Sequence, residues 1–315
     1  MLHLLLALAA STAAPAPPPP DPTTGPAIVV EGRRLSQHEV SEAVRAIGRP
    51  DDAGGFEFQF ARWDGPLCVA VAGLPREGGE YLADHLGAIA RDLGIGSKGP
   101  GCKPNAFIIV TADPAALIQR ARFSKPGLVS GLYPALLDRI VRSDDAVRAI
   151  ASTDLTSGDG DAGTPSTYGE SGHDVVTLPQ WNASKLNAPT QTHLSRVTVI
   201  VDSRQLDGIS YAQLSAYLAM VTFARLDVHS SKPDVDTILT LFPRGQAAPQ
   251  DLTAFDQAYL RALYTVAPNM PGDQQRLAMI GMIQKLIDGL EKDKRLRAPI
   301  GLAAHERAGD AQPSR

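Results

Sequence analysis

The sequence predicts an α/β fold of mixed α+β character: a single sheet with a strand–helix–strand crossover unit and a helical C-terminal portion. Two observations carry this prediction. A helical stripe of leucine and isoleucine from Leu82 to Leu93 lies between two apolar runs, at 67–73 and 105–111. This order is typical of a parallel crossover. The run at 197–201 reads Val-Thr-Val-Ile-Val, and five β-branched residues in succession favour a strand.

The N-terminal part predicts two strands and a helix before the crossover. A short strand is expected at 27–31 and a helix at 36–47. Ser36 and Glu39 have the spacing of a capping box, which satisfies backbone donors at a helix start. Phenylalanines then alternate with polar residues at 56–60, which is the period of a strand.

The middle of the chain predicts helices and one long loop. Asp113 followed by Pro114 is typical of a helix cap and first helical position. A shorter helical stretch is expected at 145–151. Residues 153–174 are dense in Gly, Ser, Thr and Asp, and we expect a loop there.

The C-terminal portion predicts a series of helices. Ser210 and Gln213 form a second capping-box pattern after the strand at 197–201. Further helices are expected at about 233–242, 251–264 and 273–292, the last with an isoleucine stripe at helical spacing.

The ends of the chain predict export and one folded domain at 27–295. Residues 1–14 combine a short apolar run with small residues, as in a signal peptide, and the run is too short to span a bilayer. The alternative is a hydrophobic tail without a targeting role. A stiff Pro-rich linker follows at 15–26, and 296–315 is expected to be a disordered tail. We therefore expect a periplasmic or extracellular protein with no integral membrane segment in the mature chain.

The composition favours a globular protein and excludes several functional classes. Of 315 residues, 43% are hydrophobic and 20% are charged, with 30 basic and 34 acidic residues and a net charge of −4. This balance suits a protein with a packed core and argues against collagen-like, disordered and polytopic membrane chains. The mild negative charge gives no basis for nucleic-acid binding. No motif for a cofactor is found.

The only two cysteines, Cys68 and Cys102, are candidates for a disulfide. Each lies at the edge of a predicted strand, and export would allow the bond to persist. If the two strands are neighbours in the sheet, the bond is geometrically feasible. Two buried thiols, or a strand order that separates them, are the alternatives.

Three polar residues are candidates for a hydrolytic site: His173, His193 and Asp202. Asp202 ends a strand, where parallel sheets often place functional groups. The adjacent residues Ser171, His173 and Asp174 do not form a triad by themselves, because triad members come from distant chain positions. A mobile polar loop is the alternative for this run.

The segment 159–170 is a candidate for a calcium loop. Asp159, Asp161 and Glu170 occupy the first, third and twelfth positions of such a loop. Gly163 replaces the ligand at the fifth position, and Thr164 replaces the turn glycine at the sixth. The alternative is a Gly- and Asp-rich loop without metal.

Four segments resemble those of a family of uncharacterised exported bacterial proteins: 62–68, 102–107, 237–242 and 252–264. The resemblance covers most of residues 27–265. Both cysteines fall within these segments, so the resemblance supports a disulfide between them.

The layout is also similar to that of predicted zincin-like metallopeptidases, in which a strand is followed by a long helix. In zincins this helix carries His-Glu-x-x-His, whose histidines bind zinc. Here the corresponding helix at 211–220 has no histidine and no acidic residue. This resemblance implies a protein that has lost catalysis.

We therefore expect an exported protein of binding or structural role, whose partner is a protein or another component of the cell envelope. A peptidase-like hydrolase with an unconventional site is the alternative.

Overall fold

The computed structural model describes residues 35–48, 59–130, 132–168, 173–178, 184, 187–226 and 234–292. All of these lie in one compact unit, Arg34–Arg315. The predicted signal peptide, linker, first strand and C-terminal tail lie outside the described residues, as do both predicted domain boundaries and most of the predicted strand at 56–60.

Eight α-helices and six strands occur in this part of the chain. The helices are α1 (Gln37–Ile47), α2 (Arg76–Asp92), α3 (Pro114–Ser124), α4 (Pro134–Arg142), α5 (Tyr211–Phe223), α6 (Leu241–Arg244), α7 (Ala254–Thr265) and α8 (Gly272–Lys292). The strands are β1 (Val69–Ala72), β2 (Ala106–Thr111), β3 (Val147–Ser157), β4 (Thr164–Tyr168), β5 (His173–Thr177) and β6 (Thr190–Asp202).

One mixed four-stranded sheet organises the fold, in the order β1-β2-β6-β3. β1 and β6 both run parallel to β2, whereas β3 pairs antiparallel with β6 at one edge. The predicted crossover is confirmed, because α2 connects the neighbouring parallel strands β1 and β2. β4 and β5 form a separate antiparallel ladder. The predicted α/β class is therefore correct.

The helix starts that the sequence predicts are present. Ser36 and Glu39 form a reciprocal capping box, in which the Ser36 amide donates to the Glu39 carboxylate at 2.8 Å. Ser210 and Gln213 do the same at the start of α5. Asp113 accepts from the Ala116 amide at 2.9 Å and caps α3.

The helix predicted at 145–151 is wrong, because this segment forms the first half of β3. Val147 and Ile150 are both buried but on opposite faces of the sheet, in two separate core clusters. Their spacing of three residues imitates a helical stripe. Pairing with β6 decides the conformation, so tertiary context overrides the local pattern.

The loop predicted at 153–174 is also corrected. β3 continues to Ser157, β4 follows after a turn, and β5 begins at His173. Threonine-rich segments tolerate extended backbone, and the turn between β3 and β4 contains Gly158, Asp159, Gly160, Asp161 and Gly163.

The helix predicted at 233–242 is replaced by a 3₁₀ turn at Ile238–Thr240 and the short α6. The carboxylate of Asp256, which is fully buried, accepts from the Ile238 amide at 2.8 Å and the Thr237 hydroxyl at 2.5 Å. Burial raises the pKa of Asp256 to about 6, although these hydrogen bonds oppose the rise. The Asp256 side chain thus accepts the hydrogen bond of the Ile238 amide, which in a regular helix would donate to a backbone carbonyl. The two later helices, α7 and α8, lie close to their predicted positions.

The sheet is covered by helices on both faces. On one face, Val197, Val199 and Val201 of β6 belong to the main core, which also contains buried side chains of α2 and α5. On the other face, Ile200 and Ile150 belong to a smaller core that includes buried residues of α3 and α4. Within the described residues, no helix is long and apolar enough to cross a bilayer.

The predicted disulfide between Cys68 and Cys102 is confirmed, with the two Cα atoms 6.1 Å apart. It joins the residue before β1 to the segment that leads into β2. The side chain of Asn105 strengthens this junction by accepting from the Cys68 amide at 2.7 Å.

Loss of this disulfide should lower the free energy of unfolding. The bond closes a loop with a sequence separation of 34 residues, so the chain-entropy model gives a loss of about 3–4 kcal/mol. Urea unfolding of the Cys68→Ser/Cys102→Ser variant against wild type measures it. A reductant should destabilise the wild-type protein and leave the variant unchanged; equal midpoints for the two proteins would contradict the assignment.

Candidate functional site

His193 lies in a buried polar centre on β6. Its ring Nε2 is 2.8 Å from the Thr156 hydroxyl on β3, and only 7% of the residue is exposed. Nδ1 has no partner among the described residues. Burial lowers the pKa of His193; the charges of Asp64 and Asp154 oppose this effect, and that of Arg62 adds to it. The imidazole is therefore held neutral.

Arg62 is the neighbour of His193 across an isolated parallel bridge. The Arg62 Nη1 donates to the Val266 carbonyl at 2.7 Å, and the Arg62 carbonyl accepts from the Leu194 amide at 2.8 Å. Burial lowers the pKa of Arg62 to about 10. Its Nε and Nη2 meet no acceptor in the described part of the chain. These hydrogen bonds join the segment that precedes β1 both to β6 and to the end of α7. The role of Arg62 is therefore structural.

Asp202 lies at the far end of the same strand. Asp202 follows His193 by nine positions, which corresponds to roughly 30 Å along an extended strand. The Asp202 carboxylate accepts from the Arg204 Nε at 2.9 Å and from its Nη2 at 2.6 Å. These hydrogen bonds lower the pKa of Asp202, against the effect of burial.

The structure does not bring the three hydrolase candidates together. His193 and Asp202 occupy opposite ends of β6. The backbone of His173 pairs with Tyr168 in the separate β4–β5 ladder. A shared site for all three would require His193 and Asp202 to meet, and the strand that carries both keeps them apart.

The two described calcium candidates lie in the turn after β3. Asp159 accepts from the Ser157 hydroxyl, and Asp161 accepts from the Gly163 amide at 2.8 Å. Glu170 lies outside the described residues. No group of three potential metal ligands occurs in the part of the chain that the structure describes. The two carboxylates thus stabilise the turn through local hydrogen bonds, as aspartates commonly do.

A cleft with a volume of about 50 Å³ lies beside the edge strand β3. The end of α4 contributes to one wall and the residues at the end of α5 to the other. Its lining combines apolar and basic side chains, among them Leu136, Arg139, Arg148, Arg225 and Leu226. A cavity of this size accommodates a small polar group such as a carboxylate.

Arg148 is the basic residue that anchors this cleft. Only 5% of it is exposed. Its Nε donates to the Ile140 carbonyl at 3.1 Å, and its Nη2 donates to the Ser143 carbonyl. Nη1 finds no acceptor among the residues that the structure describes. The guanidinium therefore satisfies carbonyl groups at the end of α4, where a cation is favoured by the helix dipole.

Further polar contacts join the two helices of the α3–α4 pair, defined as residues 114–142, to each other and fix the pair to the sheet. Arg122 of α3 forms an ion pair with Asp138 of α4 at 2.7 Å. Arg196 of β6 donates to the Gly127 carbonyl in the connection between the two helices at 2.8 Å. The pair is thus a preformed unit on the sheet.

The α3–α4 pair also concentrates positive charge. It contains five basic residues and one acidic residue, a net charge of +4, in a chain whose net charge is −4. The basic residues are Arg120, Arg122, Lys125, Arg139 and Arg142. Among the described residues, no hydrogen bond or ion pair engages the exposed Arg139 side chain, which lines the cleft. One wall of the cleft and this positive charge therefore belong to the same unit of the fold.

Comparison with known protein families, with curated proteins and with solved structures finds no match to this chain. The resemblances to uncharacterised exported proteins and to zincin-like peptidases therefore stay predictions.

The sequence did not point to the cleft, because the helix predicted at 145–151 placed Arg148 on the wrong element. Two signals could have indicated this region. Pro134 precedes a run with apolar residues at helical spacing, which is a helix start. The local excess of basic residues could also have been counted along the chain.

Replacement of His193 by glutamine should change how stability depends on pH. Because the folded pKa of His193 lies below its ordinary value, the unfolded chain binds a proton that the folded protein does not. Acidification through about 6.5 and below should therefore lower the free energy of unfolding of wild type more than that of His193→Gln.

Denaturant unfolding between neutral and mildly acidic pH measures this difference. His38→Gln, which removes an exposed imidazole, is the matched control and should follow the wild-type curve. A wild-type-minus-His193→Gln difference that does not change with pH would contradict the account.

Proposed function

We propose that the protein is an exported, non-catalytic binding protein of the cell envelope, which recognises an anionic group of its partner in the cleft beside β3. The observation that carries this proposal is the coincidence of an open cleft with basic side chains at the edge of the sheet. The location is periplasmic or extracellular.

The disulfide supports export. Disulfides persist in oxidising compartments and are rare in reducing ones. The Cys68–Cys102 bond thus agrees with the sequence at 1–14, which has the pattern of a signal peptide.

The cleft has two properties that suit recognition of an anionic partner. First, β3 pairs with β6 on one side only within the described residues, and an edge strand is a common docking site for an extended partner segment. Second, Arg139 is exposed at the cleft, and a guanidinium binds carboxylate and phosphate groups well. We therefore favour a partner segment with acidic side chains or phosphate groups.

The binding role agrees better with the geometry than the hydrolase alternative does. The described polar side chains considered as catalytic have structural partners: Thr156 for His193 and Arg204 for Asp202. The exposed Arg139 at the cleft, in contrast, has no ion-pair or hydrogen-bond partner among the described residues.

Site-specific photo-crosslinking in intact cells tests the proposal. A benzophenone side chain at Leu136, in the cleft, should give a discrete adduct. The matched control is the same group at Leu277, an exposed position on α8, which should give none. Arg139→Glu should reduce the Leu136 adduct about tenfold, because it reverses a charge that contacts the partner.

Three outcomes would contradict the proposal. The Leu136 probe could give no adduct, the Leu277 probe could give the same adducts, or the adduct could persist unchanged in Arg139→Glu. Fractionation of the same cells tests export, and an adduct found only in the cytoplasm would contradict that part.

A further inference from the structure

The connection between α3 and α4 carries the two most exposed large hydrophobic side chains that the structure describes. Phe123, in the last turn of α3, is 89% exposed, and Tyr133, directly before α4, is 73% exposed. An aromatic ring left in water costs free energy that burial would recover. Two such rings at the ends of one short connection therefore suggest a contact that covers them.

Basic residues flank these rings in sequence, and Asp138, the acidic residue of the α3–α4 pair, is engaged by Arg122. The exposed Lys125 lies between the rings in sequence, and the exposed Arg120 precedes them by one helical turn. The sequence from 114 to 137 contains no aspartate or glutamate. We call Phe123, Lys125 and Tyr133 the aromatic tip.

The aromatic tip is held in place and does not depend on a partner for its position. Arg196 binds the Gly127 carbonyl, and Ser152 donates to the Ser130 carbonyl at 2.9 Å. Val129 is buried within the smaller core. The connection is thus fixed to the sheet by β3 and β6, while the two aromatic rings at its ends are exposed to solvent.

We propose that the aromatic tip docks the protein on the surface of an anionic lipid bilayer. The Tyr133 ring would insert at the level of the headgroups, where amphipathic rings are favoured, and the apolar Phe123 ring would insert at the boundary with the acyl chains. Lys125 and Arg120 would contact the lipid phosphates, and the attraction would be electrostatic and sensitive to salt.

The charge distribution selects this orientation. The α3–α4 pair carries +4, so the remainder of the chain carries −8. An anionic surface would repel that remainder and attract the α3–α4 pair. Exposed aromatic rings beside basic side chains combine the two contributions that hold a protein on an anionic bilayer, apolar burial and electrostatic attraction, so we infer a bilayer in preference to an acidic protein. The side chains of this contact are not among those that line the cleft.

Co-sedimentation of the purified mature protein with lipid vesicles tests the proposal. The protein should bind vesicles that contain phosphatidylglycerol and should not bind vesicles of pure phosphatidylcholine. High salt should release it. Phe123→Ser/Tyr133→Ser, and separately Lys125→Glu, should each weaken binding about tenfold or more.

Matched controls come from exposed positions elsewhere in the chain. Leu277→Ser removes an exposed apolar side chain, and Lys98→Glu reverses an exposed charge; both should bind as wild type does. Because the substituted side chains are exposed, unfolding midpoints should be unchanged, which separates lost docking from lost folding.

Several results would overturn the proposal. These are failure to bind phosphatidylglycerol vesicles, tip variants that bind as wild type does, or control variants that lose binding equally. A benzophenone at position 123 that captures a protein in cells, without vesicle binding in vitro, would assign the tip to a protein partner and reject the bilayer. The Leu136 adduct should persist in the tip variants, so failure of this proposal and failure of the cleft proposal are distinguishable.

Discussion

The contact between the buried Arg148 guanidinium and the end of α4 is the interaction on which the basic side of this protein depends. A helix end leaves several carbonyl groups without partners. Arg148 supplies donors to the carbonyls of Ile140 and Ser143 from the neighbouring edge strand. Beneath it, Ile150 and Ile200 belong to the same small core as buried residues of α3 and α4. One wall of the cleft, the two exposed rings and the positive charge belong to the unit that this contact fixes.

The buried polar groups of the fold share this structural purpose. Asp256 binds backbone donors before α6, Arg62 binds the carbonyl at the end of α7, and Asp202 is neutralised by Arg204. A polar group removed from water is costly unless it finds partners, and these contacts supply them. The exposed Arg139 on the α3–α4 pair has, in contrast, no such partner among the described residues, which is why recognition is assigned there.

Local signals in the sequence predicted those elements whose conformation depends on nearby residues. The capping boxes at Ser36 and Ser210, the crossover around α2 and the strand within β6 follow from residue spacing, and the disulfide follows once β1 and β2 are neighbours. The first half of β3 has the pattern of a helix because both of its faces are largely buried there, so it lacks the alternation of a half-exposed strand.

The role of Arg148 at the cleft could not be predicted from local patterns. Arg148 acquires its role only when an edge strand and a helix end meet, and no residue spacing encodes that meeting. The separation of His193 from Asp202 likewise depends on the length of β6, which extends over thirteen residues, Thr190–Asp202. The apolar run at 197–201 predicted only the last part of this strand.

Hydrogen–deuterium exchange of the mature protein, with and without vesicles that contain phosphatidylglycerol, tests the central claim most directly. If the α3–α4 pair is a preformed recognition unit, its amides should already be protected in the free protein. Vesicles should add protection within residues 120–139 and leave α2 and α7 unchanged. Rapid exchange throughout α3 and α4 in the free protein, or new protection confined to other elements, would contradict the account.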